Sequence, residues 1–189
     1  MRILSYSGMT VVSLSLAFGL AACAMSDEGA TVQQDDQVQR AYAELVDESG
    51  EGVGRVEFAT VDGGVSVEIE VQGLPEGRHG FHIHEVGTCE APDFTSSGGH
   101  FNPTGKEHGM ENPRGPHAGD LPNIVIRTDG SGSLSLINPY LALGSGAEND
   151  LLAGQGTSVM IHAGPDDYIT DPAGDSGARI ACGVITPHD

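Results

Sequence analysis

Hydrophobic and polar residues alternate along much of the chain with a period of two. Val65, Val67, Ile69 and Val71 are separated by Ser66, Glu68 and Glu70, the pattern of a strand with one face buried. Asp62-Gly63-Gly64 before it is turn chemistry, and Val56, Phe58 and Thr60 alternate in the preceding run, so a hairpin is predicted there. Ala41 to Val46 reads as a first strand, closed by Glu51-Gly52. Leu121 to Arg127 and Gly132 to Ile137 flank Asp129-Gly130-Ser131-Gly132, a second hairpin signal. Thr157 to His162 and Arg179 to Ile185 read as the last two strands. No window carries a 3.6-residue helical period, and no internal repeat is evident. Short strands joined by Gly-rich turns predict an all-β domain, a sandwich or barrel.

Two segments break this rhythm, roughly Glu85 to Gly119 and Ala163 to Ala178. Irregular stretches of that length in a compact domain mark function or a wrong assignment. The polar chemistry gathers in and beside them, so they are read as functional loops. The N-terminus differs again. Arg2 precedes an apolar run from Gly8 to Leu20, shorter than the roughly 18 residues a membrane span needs. Residues 1–22 are therefore expected to be an export signal. Leu20-Ala21-Ala22-Cys23 resembles the bacterial lipobox, which implies Cys23 as the lipidated first residue of the mature chain. Ordinary cleavage near Ala22 is the alternative. Residues 23–40 are polar and aperiodic, a flexible tether, and 41–189 form the domain. The expected location is the cell envelope or periplasm, with the membrane reached only through the lipid on Cys23.

Charge narrows the partners. With 27 acidic residues against 8 Lys and Arg, the net charge of the 189-residue chain is −19. Nucleic acid and anionic membrane surfaces reward the opposite sign and are excluded as partners. An anionic substrate would meet the same repulsion.

Histidines carry the candidate chemistry. In Gly80-Phe81-His82-Ile83-His84, His82 and His84 share one face of a strand and Phe81 and Ile83 the other. Two such imidazoles can chelate one ion, although a pair alone is equally a surface feature. His100, His108, His117 and Asp120 follow within a Gly-, Pro- and Asn-rich stretch. They make a plausible closed tetrahedral zinc shell, against incidental histidines in a polar loop. His162 ends a strand, on the same face as Met160. A set dominated by imidazole favours copper, nickel or zinc over calcium or magnesium.

The order of these groups resembles the copper/zinc superoxide dismutases: His-x-His, His-x7-His-x8-His-x2-Asp, a late His, then Gly-x-Arg-x-x-Cys-Gly. The matching stretches are Gly80-Phe81-His82-Ile83-His84-Glu85, Gly99-His100-Phe101-Asn102-Pro103, His117-Ala118-Gly119-Asp120-Leu121-Pro122 and Gly177-Ala178-Arg179-Ile180-Ala181-Cys182-Gly183-Val184-Ile185. The resemblance spans nearly all of 41–187. It implies a Greek-key β-barrel or sandwich of about eight antiparallel strands with two long functional loops. It also implies superoxide anion as substrate and a redox-cycling copper bridged to zinc. Copper would be held by His82, His84, His100 and His162, and zinc by His100, His108, His117 and Asp120. The shared ring of His100 would carry a proton during turnover. Asp166 would join a copper ligand to a zinc ligand, and Arg179 would guide the anion. Cys89 and Cys182 would form a disulfide, which with Cys23 on lipid accounts for all three cysteines. His79 and His188 match no ligand position and read as solvated. The alternative is a non-enzymatic copper or zinc binding or storage protein, disfavoured because neither Arg179 nor Asp166 is needed merely to hold metal. A copper-only relative is disfavoured by His108, His117 and Asp120, and a zinc hydrolase by a shell with no open position. Residues 164–177 contain four Asp and no Lys, so steering beyond Arg179 would fall to Lys106, Arg114 or elsewhere. Relatives use different dimer interfaces, which leaves a homodimer open.

Overall fold

A computed structural model describes residues 38–188; the export signal, Cys23 and most of the tether lie outside the described residues. The strands are β1 (Arg40–Asp47), β2 (Gly52–Val61), β3 (Gly64–Val71), β4 (Gly77–His79), β5 (Phe81–His84), β6 (Ile124–Ile126), β7 (Gly132–Asn138), β8 (Ser158–His162), β9 (Arg179–Val184) and β10 (Thr186–Pro187). The described residues include no α-helix, only a 3₁₀ turn at Thr95–Ser97.

The period-two runs become barrel staves. In β3, Val65, Val67 and Ile69 are at most 1% exposed and Val71 is 6%. They face Val56 and Phe58 of β2 through the register Val56↔Ile69 and Phe58↔Val67. Gly64, at φ 140°, turns the hairpin so close to β7 that a Cβ would lie 2.2 Å from the Asn138 carbonyl oxygen, so no larger residue fits. The strand run from Leu121 starts later than expected, at Ile124, while β4 and β10 have only 3 and 2 residues and leave no periodic trace.

Neighbours run in the order β4-β6-β7-β3-β2-β1-β9-β8-β5, with β10 on β1. The two outermost strands, β4 and β5, are consecutive in sequence and separated only by Gly80. The chain itself therefore crosses the seam and nearly closes the barrel. There the Gly80 amide donates to Gly164 O and the Gly80 carbonyl accepts from the His162 amide, both at 2.8 Å. The barrel interior is one apolar cluster that includes Leu45, Phe58, Phe81, Ile83 and Ile161. A second, smaller cluster of Phe94, Met160 and Cys182 lies beside it, with Val46 and Cys89 against it. Within it, Cys89 is bonded to Cys182, tying the first long loop to β9.

Candidate metal centre

β5 sets the site. Phe81 and Ile83 enter the barrel core, so alternation sends His82 and His84 to the opposite face. That face is closed too, since His82 is 0% and His84 1% exposed. The long loop covers it by pairing with the free edge of β5. Ile83 N donates to Gly119 O and Phe101 N to Ile83 O, at 2.9 and 2.8 Å. These bonds set His100 opposite His84 and Asp120 opposite His82. β8, on the other edge of β5, brings His162 beside them.

Two groups of donors result. Ring nitrogens of His82, His84, His100 and His162 lie within 4.8 Å of one another, and so do donor atoms of His100, His108, His117 and Asp120. In the first group His82 Nδ1, His84 Nε2, His100 Nε2 and His162 Nε2 are buried with no hydrogen-bond partner. Buried polar atoms without partners are costly and uncommon; four facing one another call for an ion. The second nitrogen of each ring is engaged: His82 Nε2 with Asp166 Oδ2 at 2.8 Å, His84 Nδ1 with Gly98 O at 3.0 Å, His162 Nδ1 with Gly177 O at 3.1 Å. Each of these faces an oxygen acceptor and so carries the proton, which leaves a lone pair on the unpartnered nitrogen. His100 is shared, because its Nδ1 lies 2.9 Å from Asp120 Oδ1. His108 Nδ1 and His117 Nδ1 approach the same oxygen at 3.0 and 3.2 Å. Asp120 Oδ2 accepts from the amides of Gly109 and His117 at 2.8 and 3.0 Å, which fixes the carboxylate.

Burial depresses the first group, with His82 at about 3, His84 at about 2 and His162 at about 4. Each ring is thus neutral and ready to coordinate at physiological pH. His108 behaves oppositely. Burial pulls it down, but hydrogen bonds to Asp120 and Asp166 outweigh that and raise it to about 9. Burial likewise opposes ionisation of both aspartates, yet their histidine partners hold them well below the ordinary carboxylate range.

Asp166 bridges the two groups. Its Oδ1 is 3.0 Å from His108 Nε2 and its Oδ2 2.8 Å from His82 Nε2. Two residues not anticipated from sequence hold it there. Asn123 Oδ1 accepts from the Asp166 amide at 2.8 Å, and the Tyr168 amide donates to Asp166 Oδ1 at 2.6 Å. Gly174, at φ +64°, completes the cradle: a Cβ there would sit 1.9 Å from Asp166 Oδ1 and 2.7 Å from His108 Nε2. Gly174→Ala is therefore expected to dislodge the bridge and weaken metal binding by about 10- to 100-fold, the usual scale for lost supporting hydrogen bonds. Chelator competition measures it; unchanged affinity would show the bridge to be dispensable.

His79 is not solvated, as sequence suggested, but 3% exposed. It ends β4 at the seam, where its Nδ1 lies 2.8 Å from His162 O and its Nε2 2.9 Å from Pro75 O. His188 is on the surface, 3.0 Å from Glu57 Oε2. Arg179 lines a cleft of about 410 Å³ together with His84, His100 and His162. Lys106 and Arg114 are not among the residues lining that cleft; Arg114 pairs instead with Glu107 at 2.6 Å.

Residues 53–185 match the sequence model of the copper/zinc superoxide dismutase family. The chain belongs to the copper/zinc superoxide dismutases. A Cu-Zn superoxide dismutase of Aquifex aeolicus is 48% identical over 147 residues, covering 77% of this chain and 86% of that protein. One from Caulobacter vibrioides is 41% identical over 138 residues, 72% of this chain and 79% of its own. Among solved structures, a superoxide dismutase-like protein from Bacillus subtilis superposes with a TM-score of 0.74 at 43% identity, covering 77% of this chain and 97% of that one. The relatives named Cu-Zn superoxide dismutase make the activity disproportionation of superoxide and the cofactors copper and zinc. The donors fit both metals, an all-imidazole group beside one of three imidazoles and a carboxylate.

Proposed function

We propose that superoxide is disproportionated at the four-histidine group, with copper on His82, His84, His100 and His162 and zinc on His100, His108, His117 and Asp120. The observation that carries this is the set of four buried, partnerless nitrogens, one of them on a ring that also reaches Asp120. When bound, copper supplies the one-electron changes that turn one superoxide into dioxygen and the next into peroxide, while zinc has no redox change of its own. His100 is the residue common to both groups, and its Nε2 takes up and returns a proton during the cycle. Asp120 anchors the other side of that ring. Asp166 fixes the tautomers of His82 and His108. Arg179 draws the anion into the cleft and holds it beside the histidines. A storage role needs neither Arg179 nor Asp166 at these places.

The protein acts outside the cytoplasm, in the envelope or periplasm, held to the membrane by a lipid on Cys23. Arg2 with the apolar run from Gly8 to Leu20 and Leu20-Ala21-Ala22 before Cys23 support this, as does a disulfide of the kind that persists in oxidising compartments. A homodimer is supported by exposed Met110, Ile137 and Tyr140 around a groove of about 280 Å³.

Metal analysis and superoxide consumption of the purified protein test the reading together. Equimolar copper and zinc are expected, with kcat/KM falling as salt shortens the Debye length from about 30 to about 8 Å. Bound metals without superoxide consumption would favour the storage role. A rate indifferent to salt, or rising with it, would remove Arg179 as a net attractive guide.

A further inference from the structure

The hydroxyl of Ser97 sits where a histidine of the copper group meets the cleft arginine. Ser97 is the last residue of the 3₁₀ turn and is 0% exposed. Its Oγ lies 3.1 Å from His84 Nδ1, 3.0 Å from Arg179 Nη1 and 2.9 Å from Phe94 O. A hydroxyl has one hydrogen to give and two lone pairs. The guanidinium can only donate and the carbonyl can only accept. His84 Nδ1 carries a hydrogen because Nε2 is the partnerless nitrogen of the histidine group. Ser97 is thereby saturated: it accepts from His84 and from Arg179 and donates to Phe94.

A second link runs in parallel. The Gly98 carbonyl shares the single His84 Nδ1 hydrogen with Ser97 Oγ, at 3.0 Å, and accepts from Arg179 Nη2 at 2.7 Å. Arg179 Nη1 also donates to Phe94 O at 2.6 Å, so both guanidinium nitrogens are anchored to the loop backbone. What Ser97 adds is a second acceptor common to Arg179 and His84, so that the arginine is tied to the histidine at two points and not one. We infer that Ser97 is a positioning residue that locks the Arg179 guanidinium to the copper ligand His84, keeping a bound anion at a set distance from the metal. The inference rests on the copper assignment above. Ser97→Ala removes the second tie between Arg179 and His84 without orphaning its neighbours, since Arg179 Nη1 still reaches Phe94 O at 2.6 Å and His84 still reaches Gly98.

The test is a titration of azide, a small monovalent anion, onto the copper- and zinc-loaded protein, followed by the optical band of copper(II). It is run on the parent, Ser97→Ala, Arg179→Ala and the double variant. Ser97 acts on the anion only through Arg179, so its loss predicts an effect on the scale of one ordinary hydrogen bond, roughly three- to tenfold weaker azide binding when Arg179 is present, and no further loss in the Arg179→Ala background. An equal loss in both backgrounds, or none in either, overturns the role assigned to Ser97. Absence of any azide-sensitive copper band in the parent overturns the copper assignment, and this inference with it. Should Ser97→Ala not fold, Ser97→Gly is read in the same way.

Discussion

His162→Ala is expected to cut superoxide turnover to below about 1% of the parent while zinc stays bound. His162 enters the site from the end of β8, its amide tied to Gly80 O at 2.8 Å and its Nδ1 to Gly177 O at 3.1 Å. Its Nε2 belongs to the four-histidine group alone; the group with Asp120 does not include it. Losing a supporting contact around a metal already costs about 10- to 100-fold, and a ligand should cost more. The substitution removes a partnerless buried nitrogen and keeps the backbone bond to Gly80 O, at the loss of the Nδ1 bond to Gly177 O. Metal content and turnover, measured on the same preparation, decide the matter. Full activity would end the copper assignment, and loss of zinc along with copper would mean that the two groups are not separable.

Removing the disulfide should have the largest effect on stability. Cys89 and Cys182 are 93 residues apart, and closing a loop of that length is worth roughly 4–5 kcal/mol in the chain-entropy account. Cys182 is also fully buried against Phe94 and Met160, so a Cys89→Ser, Cys182→Ser protein buries a polar group as well. Urea unfolding of the metal-free protein should show a loss of about that size, with the midpoint moving far below the parent's. A loss under about 1 kcal/mol would mean that the unfolded chain is not what the bond restrains. The same bond steadies the stretch that supplies Phe94 O and Gly98 O to Arg179.

Much of this was legible in the linear chain, because the signals were local. Alternation marked β2 and β3, and donors at fixed spacings on one strand and one loop marked the two metal groups. What stayed hidden depends on contacts between distant segments. Asn123 reads as part of a strand, but its amide donates to the Tyr168 hydroxyl at 2.9 Å and its side chain to Asp166 O at 2.9 Å, so β6 starts only after it. No periodicity reports a bond across 43 residues. His79 looked solvated because it sits outside every ligand spacing; it is buried by the seam, where β4 is too short to leave a pattern. Ser97 is one serine among several in a polar loop, and only its three partners distinguish it.

The pairing of the long loop with β5 has a consequence for self-association. A strand at the end of a sheet order presents unpaired amides and carbonyls that another chain can adopt. Here the loop residues around His100 and Gly119 take that place, so the segment proposed to hold the metals is also the cover of a strand edge. Anything that loosens it, by removing the ions or the disulfide, bares the backbone edge of β5, the Ile83 amide and carbonyl first. Faster hydrogen exchange at the Ile83 and Phe101 amides would precede aggregation, and a protein stripped of metal would be the species that sticks.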